Sequence, residues 1–227
     1  MSPSRDAPDG PGVTLRPGLI HYPRYLDGPG QRRLAAEVAA ILARSPPFTP
    51  RMPRTGKPFS VRMGGAGQVS WVSDRDGYRY QPHHPETGEP WPAMPATALA
   101  AWEALAAYRA PPEACLINLY DPGARMGLHQ DRDEEDFDAP VLSLSLGAPA
   151  LFRYGGLARS DPTRSVRLLS GDALVIGGAS RLIHHGIDRI YAATDLLAED
   201  ILPGLLPPGG RCNLTLRRVT RPAAARS

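Results

Sequence analysis

Six short apolar runs, each closed by turn-forming residues, follow one another through the second half of the chain: ACLINLY, VLSLSLG, ALFRYGG, VRLLSGDALVIGG, SRLIHHGI and RCNLTLRRV. Runs of this length, rich in β-branched and leucine residues and bounded by Gly, Pro and Asp, read as strands. Their spacing is that of a sandwich or jelly roll. The 26 Pro and 23 Gly among 227 residues fit many turns between short strands better than long helices. In VLSLSLG the period of two sets Leu142, Leu144 and Leu146 on one face and Val141, Ser143 and Ser145 on the other. One side of that strand is suited to a packed layer and the other to the wall of a cavity.

The first half reads differently. QRRLAAEVAAILAR, residues 31–44, places Leu34, Val38, Ile41 and Leu42 on one face of an amphipathic helix that Ser45-Pro46-Pro47 ends. A second helix is predicted over 95–108, with Leu99, Trp102 and Leu105 facing inward. Between them, residues 46–95 read as a loop-rich segment too long for a mere connection and suited to a substrate-covering lid. Residues 1–12 and 221–227 read as disordered tails, with helices and lid over 13–110, a β core over 111–220, and one compact domain overall.

The charge is mild, +3, and excludes little. Of the 26 basic residues only Lys57 is lysine, and arginine is the cation whose planar fork suits phosphates and carboxylates. Cys115 and Cys212, far apart in apolar segments, read as buried free thiols. No run is long enough to span a bilayer and no signal-peptide pattern opens the chain, so the expected location is cytoplasmic, without a membrane partner.

In LHQDRDEED, His129 and Asp131 stand two apart, so an extended backbone sends both side chains to one face, where they can share a metal ion. The triplet alone is a weak signal, and the acidic run around it also suits a solvated turn. SRLIHHGI offers His184 and His185 as sources of a third ligand. Two imidazoles and one carboxylate on one face of an octahedron leave positions open for oxygen and a cosubstrate on iron. In RCNLTLRRV, Arg211, Asn213, Thr215 and Arg217 alternate along one strand face, with Leu214 and Leu216 behind them. Two arginines filed into a cavity repel unless an anion joins them, and a dicarboxylate such as 2-oxoglutarate satisfies both. Asn118 and Tyr120 in LINLY offer an amide and a phenol to the same ligand.

Taken in order, WPAMP, ACLINLYDPGA, LHQDRDE, SLSLG, FRYGGLARSDP, GDALVIGGASRLIHHGI and RCNLTLR resemble the successive blocks of the AlkB family, the Fe(II)- and 2-oxoglutarate-dependent dioxygenases of bacterial nucleic-acid alkylation repair. The match runs from about Phe59 to Arg217. The resemblance implies a double-stranded β-helix, or jelly roll, under an N-terminal nucleotide-recognition lid. It implies His129, Asp131 and His185 as iron ligands and catalytic centre, His185 being the histidine followed by Gly-Ile. It implies that Asn118, Tyr120, Arg211, Asn213 and Arg217 hold 2-oxoglutarate, Arg211 at the distal carboxylate.

Within SVRMGGAGQVSWVSDRDGYRY the same resemblance makes Trp71, Tyr78 and Met63 substrate contacts, joined by Asp133 and Arg159. A base must leave its stack to be dealkylated, and an aromatic wall replaces the stacking it loses. A carboxylate at Asp133 would favour cationic lesions by charge attraction. The implied reaction converts 2-oxoglutarate and dioxygen to succinate and carbon dioxide, hydroxylates the alkyl carbon and releases it as formaldehyde. The implied partner is alkylated DNA, single- or double-stranded, with RNA as a further candidate and no obligate protein partner, so a monomer. Arg51, Arg54, Arg75 and Arg132 are candidates for backbone phosphates. The sequence departs from the family at Leu119, where arginine is common, at Lys57-Pro58-Phe59 in the lid, and in an insertion, DRIYAATDLLAEDILPGLLPPGG, expected on the surface. Two rivals keep part of this set: a 2-oxoglutarate oxygenase acting on a small molecule or protein, which needs the iron and cosubstrate residues but not Trp71, Tyr78 and Asp133, and a non-catalytic jelly roll that uses His129 and His185 to hold a structural metal.

Overall fold

The structure, a computed structural model, describes residues 11–193 and 200–223. Most of both expected tails, and residues 194–199 of the expected insertion, lie outside the described residues. The chain begins with β1 (Val13–Arg16) and β2 (Leu19–Tyr22), then helix α1 (Gly28–Arg44). Next come β3 (Val61–Gly67), β4 (Ser70–Asp74), β5 (Gly77–Gln81) and helix α2 (Ala96–Leu105). The remainder is β6 (Ala114–Tyr120), β7 (Met126–His129), β8 (Val141–Gly147), β9 (Ala150–Tyr154), β10 (Arg164–Leu168), β11 (Ala173–Ile176), β12 (His185–Ile190) and β13 (Arg211–Arg217).

Seven strands form a major sheet in the order β1-β2-β11-β8-β13-β6-β3, four form a minor sheet β10-β9-β12-β7, and β4-β5 is a separate hairpin. Every pairing is antiparallel. The two large sheets face one another across a core to which the major sheet gives Leu116, Leu174 and Ile176 and the minor sheet Phe152, Tyr154 and Ile187. This is the expected jelly roll with flanking helices. A second core lies on the opposite side of the major sheet, where Leu142, Leu144, Leu146, Leu214 and Leu216 pack against α1 and α2. The alternation in VLSLSLG and RCNLTLR therefore divides helix-facing leucines from cavity-facing polar residues. Cys115 and Cys212 are free and buried on the helix side, and burial pushes the Cys212 thiol up to about 12.

Helix α1 starts one turn before the apolar pattern does. Asp27 accepts the Gly30 N–H at 2.7 Å as an N-cap, and Pro29 sits in the first turn where its missing donor is harmless. Helix α2 is shorter than predicted, and Ala98, Ala101 and Trp102 are its buried residues, with Leu99 and Leu105 half-buried. Small alanines on that face allow a close approach to the core.

The larger departure is in residues 46–95, where three strands stand in the segment that reads as loop. VRMGGAG lacks the residues that signal a strand. Its glycines answer to packing instead: a Cβ on Gly64 would lie 2.5 Å from Leu42 Cδ2 of α1. β3 pairs with β6 in full register, and β1 and β2 extend the other edge beyond β11, so the N-terminal part of the chain also builds the major sheet.

Candidate active site

One cavity of about 660 Å³ opens between the sheets. Its floor is the inner face of the major sheet. β13 lies between β6 and β8, with Arg211 opposite Tyr120 and Gly147, and Asn213 opposite Asn118 and Ser145. Directly opposed residues of antiparallel strands share a face, so the register alone collects these side chains. Arg211 is fully buried: its Nη2 donates to Ser145 Oγ at 2.7 Å and its Nη1 to the Ala148 carbonyl at 3.2 Å, while Nε has no hydrogen-bond partner. Asn213 Nδ2 donates to Ser143 Oγ at 2.7 Å, and the buried Asn118 Oδ1 is also unpartnered. A buried cation with an unused donor, beside an amide with an unused acceptor, is costly unless a ligand completes it.

At the far wall His129 on β7 faces His185 on β12 across the strand pair. Asp131 lies two residues beyond His129, just past the end of β7. Its carboxylate oxygens stand 3.7 Å from each imidazole Nε2, and one ligand atom from each of the three residues falls within 4.8 Å of the others. Each imidazole is oriented from behind, with Nδ1 of His129 2.9 Å from the Gly127 carbonyl and Nδ1 of His185 3.1 Å from that of Ile183. That bond fixes the tautomer and leaves both Nε2 lone pairs aimed at the common point. Burial, and then the neighbouring His129, push the His185 pKa down to about 4, so the ring is neutral and ready to ligate at neutral pH. Burial alone would raise the Asp131 pKa, but Arg217 first and the two imidazoles next hold the carboxyl well below the usual carboxylate range. Arg217 Nη2 donates to Asp131 Oδ2 at 2.9 Å. Two imidazoles, one ionised carboxylate and open space beside them suit a divalent iron with free coordination positions.

The mouth is roofed by the β4-β5 hairpin. Trp71 and Tyr78 stack with ring centroids 5.5 Å apart and planes 16° from parallel, and Trp71 Nε1 donates to Asp133 Oδ2 at 2.7 Å. Tyr78 is 47% exposed, Met63 is buried beneath on β3, and Arg159 Nη1 donates to the Leu128 carbonyl at 2.7 Å. All the residues singled out from the sequence for metal, cosubstrate and substrate line this one cavity. Of the four phosphate candidates only Arg132 does so; Arg51 is instead tied to the Gly56 carbonyl at 3.1 Å.

A profile of the 2OG-Fe(II) oxygenase superfamily matches residues 18–217. The chain is 51% identical over 209 residues to an alpha-ketoglutarate-dependent dioxygenase AlkB homolog of Caulobacter vibrioides, covering 91% of this chain and 90% of that protein. It is 43% identical over 181 residues to the alpha-ketoglutarate-dependent dioxygenase AlkB of Escherichia coli, covering 78% and 80% respectively. The solved structure of OsALKBH1 superposes with a TM-score of 0.74 at 32% identity, covering 92% of this chain and all of that one. The chain belongs to the AlkB family of 2OG-Fe(II) oxygenases. It is thus a dioxygenase enzyme that uses Fe(II), 2-oxoglutarate and O₂.

Two residues at this site, Glu134 and Tyr80, escaped the sequence reading. Glu134, read within a solvated acidic run, is buried and paired with Arg181 at 3.1 Å, and Tyr80 hydrogen-bonds to it from the hairpin. Tyr80 sits two residues from Tyr78 in GYRYQ, so strand periodicity would have placed both on one face had the segment been read as a strand. His184 lines the cavity as well, with its buried Nδ1 unbonded. No helix among the described residues is long and apolar enough to cross a membrane.

Proposed function

We propose that this cavity carries out oxidative dealkylation of N-alkylated DNA bases of the 1-methyladenine and 3-methylcytosine type, coupled to conversion of 2-oxoglutarate to succinate and release of formaldehyde. The observation that supports this most directly is the order of chemistries along one cavity: a buried arginine with an unused donor at one end, the His129–Asp131–His185 group in the wall, and a stacked aromatic pair at the mouth. His129, Asp131 and His185 would hold Fe(II). Arg211 would take the distal carboxylate of 2-oxoglutarate, with Asn118, Tyr120, Asn213 and Arg217 around the remainder. When bound, iron, 2-oxoglutarate and dioxygen supply the oxidising equivalent that hydroxylates the alkyl carbon.

The protein's own part is placement and exclusion. Trp71 and Tyr78 give a flipped base an aromatic surface in exchange for its neighbours in the strand. Met63 closes the base slot from below. Asp133 adds a negative charge that favours a cationic ring, and Arg159 contacts the substrate at the rim. The apolar wall of Leu116, Phe152 and Ile187 keeps water from the reacting carbon. Single- and double-stranded DNA are both within this proposal, as is RNA, and so are the cytoplasmic location, the monomeric state, and N-terminal helices with a lid over 13–110 ahead of a catalytic core over 111–220.

The test is formaldehyde release from methylated single-stranded DNA with Fe(II) and 2-oxoglutarate. Wild type should release it, and Asp131→Ala should abolish release because the two imidazoles lose their shared carboxylate. Rapid 2-oxoglutarate consumption without any formaldehyde would instead favour an oxygenase of small molecules or proteins. Absence of a charge-transfer band with Fe(II) and 2-oxoglutarate under anaerobic conditions would favour a binding module.

A further inference from the structure

The roof of the cavity is tied to the wall that holds Asp131 by a route through Glu134, a residue outside the metal, cosubstrate and substrate sets. Trp71 and Tyr80 are direct cross-strand partners in the β4-β5 hairpin, so their side chains leave the same face. They reach two consecutive acids: Trp71 donates to Asp133, and the Tyr80 hydroxyl donates to Glu134. The hairpin forms no ladder with either large sheet; these two bonds hold it on the acid side, while the Arg51 N–H to the Ser73 carbonyl at 3.0 Å, Ser73 Oγ to the Arg51 carbonyl and Trp91 Nε1 to the Gln81 carbonyl hold it elsewhere.

Glu134 carries the connection inward. Its Oε2 takes Arg181 Nη2 at 3.1 Å, and its Oε1, the atom that Tyr80 reaches, lies 3.3 Å from Arg217 Nε. Arg217 in turn donates to Asp131, and Arg181 Nη1 holds the Asp131 main-chain carbonyl at 2.7 Å. Arg217 Nη1 and Nε are buried and make no hydrogen bond, so the Nη2 bond to Asp131 and the ion pair with Glu134 are what orient its guanidinium. Burial first, and then the Glu134 charge, hold the Tyr80 phenol well above its ordinary pKa against the pull of Arg217, which keeps Tyr80 the donor.

We propose that Tyr80 is a positioning residue that couples docking of the β4-β5 hairpin to the pose of Asp131, through Glu134 and Arg217. A docked hairpin gives Glu134 its third partner and holds Arg217 on the carboxylate; an undocked hairpin leaves Glu134 to the two arginines alone and slackens that hold. The metal-binding carboxylate is thereby set when the lid that presents the base is in place. This inference rests on the functional reading above for what Asp131 binds.

The experiment compares wild type with Tyr80→Phe, which removes one hydroxyl, and Ser73→Ala, which frees the hairpin from the Arg51 carbonyl at a point away from Glu134. Amide hydrogen exchange on the metal-free full chain and anaerobic titration with Fe(II) alone are the readouts. Tyr80→Phe should speed exchange roughly tenfold in both 70–81 and 131–136, the scale of one lost hydrogen bond to a charged acceptor, and weaken Fe(II) binding several-fold. Ser73→Ala should speed exchange in 70–81 only and leave Fe(II) affinity unchanged. Faster exchange confined to the hairpin in Tyr80→Phe, or equal effects of the two variants on Fe(II), overturns the coupling. A wild-type chain that takes up no Fe(II) would sink the functional reading instead, and the exchange pattern would still decide the coupling.

Discussion

The two ends of the cavity are built by different means. At the inner end Arg211, Asn213, Asn118 and Ser145 come from the middle strands of one sheet, and hydrogen-bonded register fixes which face each occupies. At the outer end Trp71, Tyr78 and Tyr80 come from a two-stranded ribbon outside both large sheets, held by bonds to Arg51 and Trp91 and by side-chain bonds to Asp133 and Glu134. An isolated ribbon is marginal in water unless something packs on it. The inner end is suited to a ligand of one constant shape, and the outer end to nucleic acid that must be admitted and released.

Because the inner end is buried and its strands are fixed in register, damage there should be severe and specific. Arg211→Ala removes a fully buried cation, and the cost of stripping one partner from a buried charge pair, about 2 to 5 kcal/mol, should appear as a steep rise in the 2-oxoglutarate KM. A KM within twofold of wild type would break the assignment of that end to the cosubstrate.

The outer end should respond more gently and through the other substrate. Trp71→Ala should raise the KM for methylated DNA by the equivalent of about 1 to 3 kcal/mol, the worth of one base stacked on an aromatic, while 2-oxoglutarate KM stays near wild type. If the cosubstrate constant moved as much as the DNA constant, the two ends would not be separable.

The smallest effect is expected at the hairpin tip. Arg79 and Asp74 make a two-bond ion pair at 2.8 Å, but both side chains are more than a third exposed. Arg79→Ala should lower stability by under about 1 kcal/mol in urea melts, and added salt should shrink the difference. A larger loss would mean that the ribbon owes its shape to its own tip and not to the acids beneath it.

The same contrast governs what could be read in advance. RCNLTLR and VLSLSLG declare their two faces by alternation, so the leucine layer against the helices and the polar floor of the cavity were legible. His129 and Asp131 were legible as a pair, and the family resemblance supplied His185 as their companion. By contrast, VRMGGAG carried no strand signal, because its glycines answer to close neighbours, Leu42 at Gly64 and Ser70 and Trp91 at Gly65, and not to propensity. Glu134 looked like one more solvated acid in DRDEED, since burial by Arg181, Arg217 and Tyr80 depends on residues distant in the chain.

By itself, then, the sequence determined the strand-rich class and the division of each central strand into core and cavity faces. Those properties follow from periodicity and residue chemistry, which are local. Only the tertiary structure decided that a glycine-rich stretch becomes an edge strand, that Glu134 of an acidic run turns inward, and that a tyrosine of the β4-β5 hairpin reaches that buried glutamate between its two arginines. Those are matters of which distant surfaces meet, and a buried ion or a close backbone approach has no meaning until they do.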